Sequence, residues 1–140
     1  MSQESILYPM AALVVLTFAV LLVVPVRRFK AAFARQVTAR DFKYGESGNV
    51  PPEVSIPNRN YMNLLESPVL FYVACITLYV MKSVDAAALY LAWVYVALRC
   101  GHSLVHLTYN KVMHRLALFA LSYVVLGAIW IRLLFWLSRL

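Results

Sequence analysis

Residues 57–71 read PNRNYMNLLESPVLF, and this stretch decides how the chain is interpreted. Its second half begins an apolar run typical of a membrane helix, yet its first half carries Arg59, Asn63 and Glu66. On a helix of about 3.6 residues per turn these three side chains share one face. Lipid disfavours such groups, because an ionised side chain at membrane depth is costly unless it is paired or hydrated. We therefore predict a membrane helix whose polar stripe, and Glu66 in particular, points into a helix bundle.

The composition extends this interpretation to the whole chain. Of 140 residues, 63% are hydrophobic and 14% are charged, and the mean hydropathy is +0.73. A helix needs roughly 20 apolar residues to cross a bilayer, and four segments approach that length. We predict an all-α integral membrane protein, a single domain of four transmembrane helices over residues 1–140. The helices are expected at about residues 6–26, 60–81, 86–108 and 115–137.

The basic residues predict the orientation of the bundle. The formal net charge is +7, and seven of the thirteen Lys and Arg residues fall within residues 27–59. Short basic loops stay in the cytoplasm, so we assign this charge to membrane topology and not to nucleic acid. The loop of about residues 27–58 and the connection holding Lys111 and Arg115 are expected there, with both termini on the opposite side. Because Glu4 precedes the first span, we expect a retained helix, not a secretory signal.

The long basic loop divides into two parts. Residues 27–37 place aromatic and basic side chains at helical spacing and are expected to extend the first helix into the membrane interface. The following part is predicted to be irregular because it contains Gly45, Gly48, Pro51 and Pro52. A loop this long is either functional or disordered, and the sequence leaves both open.

A second polar stripe lies on the third predicted helix. Arg99, His102, His106 and Tyr109 occupy positions i, i+3, i+7 and i+10, which is one helical face. Arg99 cannot lose its charge, so it needs a partner, and Glu66 is the expected one because both lie toward the same end of their helices. An internal salt bridge that only fixes helix register remains the alternative.

Two features of this end of the bundle point to chemistry. His102 and His106 are four residues apart, which suits a metal, but three histidines in all are too few for a membrane di-iron oxygenase. Hydrogen-bonding histidines in a polar cavity are therefore favoured over a mononuclear metal site. Arg115, at the start of the fourth helix, could stabilise a thiolate, and its alternative role is a positively charged membrane anchor.

These residues together resemble a known family. Arg59, Tyr61, Asn63 and Glu66 fill its helix-two pattern, with Pro68 following, and Arg99 and Arg115 match its later arginines. The chain is similar over nearly its whole length to membrane-associated proteins in eicosanoid and glutathione metabolism (MAPEG), in a bacterial branch. It departs from the family pattern where His102 and His106 replace tyrosines.

The resemblance implies a homotrimer in the bacterial inner membrane, with glutathione as co-substrate bound between subunits near the cytoplasmic face. Arg115 would be catalytic and stabilise the sulfur anion, and the residues that would bind glutathione are Arg28, Arg59, Asn63, Glu66, Arg99, His102 and His106. The thiolate would attack a lipophilic electrophile or reduce a lipid hydroperoxide that arrives from the membrane lipid. The alternative is a non-catalytic accessory subunit or lipid-binding module of a larger membrane complex.

Overall fold

The protein is described here by a computed structural model, which covers residues 2–138. The helices are α1 (Leu7–Phe33), α2 (Pro52–Glu66), α3 (Pro68–Val80), α4 (Ala86–Leu107) and α5 (Val112–Leu137), with short 3₁₀ turns at Gln3–Ile6 and Ala39–Phe42. Four helical stretches are long and apolar enough to cross a membrane: Gln3–Phe33, Pro52–Val80, Ala86–Leu107 and Val112–Leu137. The predicted all-α bundle of four transmembrane helices is confirmed. Residues 1 and 139–140 of the predicted domain lie outside the described residues.

The helices pack around one elongated core. Helix α4 packs against α1, α2 and α5, while α1 also packs against α2, and α3 against α5. At the centre the rings of Phe71 and Tyr95 stack with centroids 4.5 Å apart, and both residues are 0% exposed. Because lipid is as apolar as these side chains, close packing and not exclusion of water holds the helices together within the bilayer.

The second span begins earlier than expected. Helix α2 starts at Pro52, eight residues before the predicted start at residue 60, so the prediction of an irregular backbone at Pro52 was wrong. Proline is tolerated in the first helical turn, where its missing N–H would have no partner in any case. The basic loop is correspondingly shorter and covers residues 34–51.

The second span is also interrupted where a continuous helix was predicted. Helix α2 ends at Glu66 and α3 begins at Pro68. Pro68 has no N–H to donate to the carbonyl of Leu64, so a helical hydrogen bond is missing here although Ser67 keeps helical backbone angles. The last carbonyls of α2 are therefore available to side chains from elsewhere in the bundle.

The loop between α1 and α2 folds back on the bundle. Arg35 adopts a left-handed conformation with φ of 57°, and the N–H of Gln36 donates to the carbonyl of Ala31 at 2.9 Å. The chain thus reverses after α1. A separate small core then forms from Ala31, Val37, Val50 and Val54, with Phe42 packed against it. The loop is a folded segment.

Asp41 fixes the 3₁₀ turn in this loop. Its carboxylate accepts hydrogen bonds from the Ser47 hydroxyl at 2.7 Å and from the N–H and hydroxyl of Thr38 at 2.8 and 2.9 Å. These bonds, that from Ser47 above all, lower the pKa of the Asp41 carboxyl from its usual value. The ionised carboxylate therefore holds the two arms of the turn together.

The opposite end of the bundle is closed by paired polar groups. The side-chain amide of Gln3 accepts from the N–H of Val84 at 2.9 Å and donates to the carbonyl of Val84 at 3.3 Å. Asp85 accepts from the N–H of Ala88 at 2.7 Å, capping α4, and forms an ion pair with Arg132 of α5. These contacts join the N-terminal segment, the α3–α4 connection and α5.

Candidate functional site

A cavity of ≈ 520 Å³ lies between α2, α4 and α5, at the end of the bundle that carries the basic loop. Five of the predicted site residues line it: Arg59, Asn63, His102, His106 and Arg115. The other lining residues are Asn58, Met62, Val112, Leu116 and Phe119. The two polar stripes inferred from helical spacing thus face a common space, together with the arginine of α5.

Arg99 lies behind this cavity and is 0% exposed. Its Nη2 donates to the main-chain oxygen of Asn63 at 2.7 Å, and its guanidinium carbon lies 5.5 Å from the centroid of the Phe119 ring. The acceptor belongs to the last turn of α2, where carbonyls carry a partial negative charge. Arg99 is therefore bound by a main-chain carbonyl at the C-terminal end of α2, next to the interruption before Pro68.

The predicted ion pair between Arg99 and Glu66 was wrong. The ion pairs within residues 2–138 are Arg28–Glu46 and Arg132–Asp85, so Arg99 has no carboxylate partner there. Glu66 is exposed on the outside of the bundle, near the middle of the span Pro52–Val80. The prediction that it points inward was also wrong, because α2 is rotated so that Asn63 is half-buried while the ends of its stripe face outward.

Arg28 is also absent from the cavity lining. Its Nη2 lies 3.0 Å from Oε1 of Glu46, and its guanidinium carbon lies 4.6 Å from the centroid of the Phe42 ring. The side chain of Arg28 therefore binds to residues of the folded loop in its own chain. Arg28 and Glu66 are the two predicted glutathione ligands that the structure places apart from the others.

His102 and His106 line the cavity. Each residue is 3% exposed, and their ring centroids are 5.7 Å apart. Nδ1 of His102 lies 3.1 Å from the main-chain oxygen of Arg115. A carbonyl only accepts, so we assign the hydrogen to Nδ1, which leaves a lone pair on Nε2. Nε2 of His102 and Nδ1 of His106 are buried and have no hydrogen-bond partner in the described chain.

Arg115 is fixed at two points. Its main-chain oxygen accepts from His102, and its Nη1 donates to Oδ1 of Asn110 at 2.8 Å. Asn110 has a φ of 46°, a conformation that asparagine tolerates better than most residues, and its N–H donates to the carbonyl of Val105 at 2.8 Å. Asn110 thus ends α4 and orients the Arg115 side chain.

Sequence reasoning missed the roles of Asn110 and Asn60. An asparagine just after a helix is a common C-terminal signal, but its reach to Arg115 depends on the turn that follows. Asn60 is 0% exposed, and its Oδ1 accepts from the Ser103 hydroxyl at 3.2 Å. Asn60 follows Arg59 in sequence but lies on a different face of α2 from the polar stripe. The only signal in the sequence was an asparagine on a face that is otherwise mostly apolar.

The cavity is electropositive. Arg59 and Arg115 line it, Arg99 lies behind it, and none of the lining residues is acidic. The described chain also holds no group of three or more His, Cys, Asp or Glu residues that could ligate a metal ion. Guanidinium groups attract carboxylates and thiolates and repel metal cations. The arrangement therefore suits an organic anion whose amide or ammonium hydrogens can reach the histidine nitrogens.

Comparison with known protein families gives one result that bears on this site. The model of the MAPEG family matches residues 6–135, which is nearly the whole chain and includes every residue of the cavity. Comparisons with curated proteins and with solved structures found no match.

Proposed function

The chain belongs to the MAPEG family, and we propose that it is a membrane-bound glutathione-dependent transferase or peroxidase that acts on lipophilic electrophiles or lipid hydroperoxides. The observation that carries this proposal is the cavity between α2, α4 and α5. It is lined by two arginines and two histidines, with no acidic residue. Its volume of ≈ 520 Å³ falls in the range of small-molecule sites.

Glutathione offers groups that complement this lining. The tripeptide has two carboxylates, an ammonium group, two amides and a thiol. Arg59 is exposed at the mouth of the cavity and would bind a carboxylate, for which the planar guanidinium is well suited. Nε2 of His102 would accept a hydrogen bond from an amide or ammonium group. These contacts would leave the thiol near Arg115.

Arg115 would act on the sulfur. A guanidinium close to a thiol favours the thiolate, so the thiol proton leaves to water and the sulfur becomes the nucleophile. In the transferase reaction the sulfur forms a bond to the electrophilic carbon, and the leaving group departs with its bonding electrons. In the peroxidase reaction the sulfur attacks the hydroperoxide, the O–O bond breaks and an alcohol is released. The resulting sulfenate takes up a proton from water to give the sulfenic acid, which condenses with the thiol of a second glutathione to give a disulfide and water.

A homotrimer would account for the outward side chains of α2. Arg59 and Glu66 are exposed on a helix that crosses the bilayer, and a carboxylate in contact with lipid is strongly disfavoured. A neighbouring subunit would cover them, and Glu66 would then join a site shared between two chains. We further propose the bacterial inner membrane, with the basic loop and the cavity on the cytoplasmic side, where basic loops are retained.

Native mass spectrometry from a gentle detergent tests this proposal. Spectra recorded with and without millimolar glutathione would report subunit number and ligand together. We expect three chains and up to three glutathione molecules per complex. S-methylglutathione serves as the control, because it retains the carboxylates but cannot ionise at sulfur. Absence of bound glutathione at this concentration would overturn the catalytic proposal.

A non-catalytic role is the second candidate, and it rests on a contact that needs no ligand. The bond from His102 to the Arg115 carbonyl joins α4 to α5, and such a bond stabilises a bundle whether or not a ligand binds. In this case the chain would be an accessory subunit or lipid-binding module of a larger membrane complex. Co-purification with a stoichiometric partner, together with a melting temperature that glutathione does not change, would support it.

A further inference from the structure

A second cavity, of ≈ 540 Å³, runs along α1 and shares no lining residue with the cavity described above. One wall is a stripe of α1, and the roof is the segment that contains the 3₁₀ turn. We call it the α1 groove, lined by Leu21, Val24, Pro25, Arg28, Phe29, Ala32, Val37, Thr38, Ala39 and Phe42. The α1 stripe extends over twelve residues, from Leu21 to Ala32, which is about 17 Å of helix.

The α1 groove is apolar and open to the outside. Phe29 is 64% exposed, and Pro25 and Ala32 are exposed as well. The charged lining residue, Arg28, is neutralised by Glu46 and lies over the Phe42 ring. The interior of the groove thus combines apolar walls with no uncompensated charge, which suits a hydrocarbon chain.

The rim of the groove, formed by the loop residues next to its lining, is basic. Three exposed basic residues of the loop each lie within two positions of a lining residue: Arg35, Arg40 and Lys43. None of them forms an ion pair with a carboxylate of residues 2–138. The two acidic residues of the loop are already engaged, since Asp41 accepts from Thr38 and Ser47, and Glu46 pairs with Arg28. Several positive charges therefore remain for an external anion.

The geometry points to a binding site for an anionic phospholipid in the α1 groove. One acyl chain lies along α1 beneath the 3₁₀ turn, and the phosphate of the headgroup lies among the side chains of Arg35, Arg40 and Lys43. Basic clusters directly beside a transmembrane helix attract anionic headgroups, at about 1 kcal/mol per Lys or Arg near the membrane surface. The roof is held by the hydrogen bonds of Asp41 and by the small core beneath the loop, so the groove exists before a lipid enters it.

Lipid retention measured by native mass spectrometry tests this site without glutathione or any activity assay. The protein is released from nanodiscs that contain equal amounts of phosphatidylglycerol and phosphatidylcholine with the same acyl chains. We expect wild type to retain phosphatidylglycerol at least about five-fold more often, the ratio that one basic contact supplies. Equal retention of the two lipids would overturn the proposal.

Two sets of variants separate the groove from the rim. Ala32→Trp fills the groove and should abolish retention of both lipids, and Ala39→Phe, on the exposed roof, repeats the test if the first variant folds poorly. Phe33→Trp is the matched control, because Phe33 is 86% exposed and does not line the groove. Unchanged retention in both filling variants would overturn the proposal.

The double variant Arg40→Gln, Lys43→Gln should bring the preference for phosphatidylglycerol close to one while phosphatidylcholine retention stays the same. Its control is Lys82→Gln, Lys111→Gln, which removes the same charge outside the α1 groove and its rim. A preference that survives the first pair, or that is lost equally in the second, would contradict the assignment of the headgroup to this rim.

Discussion

The two ends of the bundle treat buried and half-buried polar groups in opposite ways. At the end that holds the N-terminal segment, Gln3 pairs with both main-chain groups of Val84, and Asp85 caps α4 and pairs with Arg132. At the other end, Arg99 is fully buried, yet its Nε and Nη1 have no partner among the described residues. An unpaired buried polar group costs about 1–3 kcal/mol of folding free energy. The unpaired groups at the second end therefore lower the stability of the fold.

The contrast separates structural polar residues from those available to a ligand. Both ends contain arginine, so the presence of that residue type does not distinguish them. At the paired end every group named above has its partner within the chain. At the cavity end the buried nitrogens of His102, His106 and Arg99 lie in or beside a space that already has positive charge. The N–H groups of Arg99 need an acceptor and Nε2 of His102 needs a donor, so a ligand with both carboxylates and N–H groups would supply these partners. The following variants test whether it does.

The largest effect is expected for Arg115→Ala. Removing one group that stabilises a developing anion typically lowers turnover about 10²–10³-fold, and we expect that loss in kcat with a change in the KM for glutathione of less than about ten-fold. Steady-state kinetics with a lipophilic electrophile would measure both. Lys111→Ala removes the same charge from the same connection, outside the cavity, and should be silent. Equal losses in the two variants would show that Arg115 acts only as a membrane anchor.

Arg99→Met tests whether the buried guanidinium serves binding or packing. Removing a buried cation that lacks a carboxylate partner is often neutral or stabilising, so the melting temperature should hold or rise. Glutathione affinity should fall about 10–100-fold, as expected for loss of a hydrogen bond to a charged group. Arg132→Met, at the paired end, should leave affinity unchanged. A destabilised Arg99→Met protein that still binds glutathione normally would assign Arg99 to packing.

Asn110→Gly should have an intermediate effect. Glycine accepts the φ of 46° without strain, so the turn and the melting temperature should persist while the contact to Nη1 of Arg115 is lost. We expect turnover about ten-fold below wild type, the scale of one charge-assisted hydrogen bond. Asn110→Asp retains the oxygen but adds a negative charge beside Arg115, so it should preserve the orientation of Arg115 without restoring full turnover. If Asn110→Gly is fully active, the orientation of Arg115 does not depend on this residue.

Asp85→Ala, at the paired end, should affect stability alone. Loss of a helix N-cap costs about 1 kcal/mol, and the ion pair with Arg132 adds little because both side chains are largely exposed. Denaturation in mild detergent would measure the loss, and turnover of the folded protein should equal that of wild type. A change in kcat would mean that the two ends are coupled.

Hydropathy and helical spacing were sufficient to predict the fold and much of the cavity. The four apolar segments required helices, and the stripes on α2 and α4 placed Asn63, His102 and His106 toward one space. The bounds at Pro52 and Ser67 were missed because a proline can start a helix as well as break one. A residue stays on the same helical face when the end of the helix is misplaced. The residue that it contacts on another helix can change.

The errors concern contacts that depend on how whole elements are placed. A stripe spanning Arg59 to Glu66 covers a wide arc of α2, and only packing decides which part of that arc faces inward. Arg99 found a main-chain acceptor made available by the helix interruption, which a search for oppositely charged residues does not reveal. Arg28 pairs with Glu46 because the loop folds back over α1, a long-range event that local sequence patterns do not specify.

The most direct test of the proposed thiolate site is a pH titration of bound glutathione. The ultraviolet thiolate absorbance of the purified protein with saturating glutathione, minus that of the separate components, reports ionisation of the bound thiol. The electropositive cavity predicts a midpoint near neutral pH in wild type and a return toward the free-thiol value in Arg115→Ala. A bound thiol that titrates near pH ~8.5, as an unperturbed cysteine thiol does, would contradict the account.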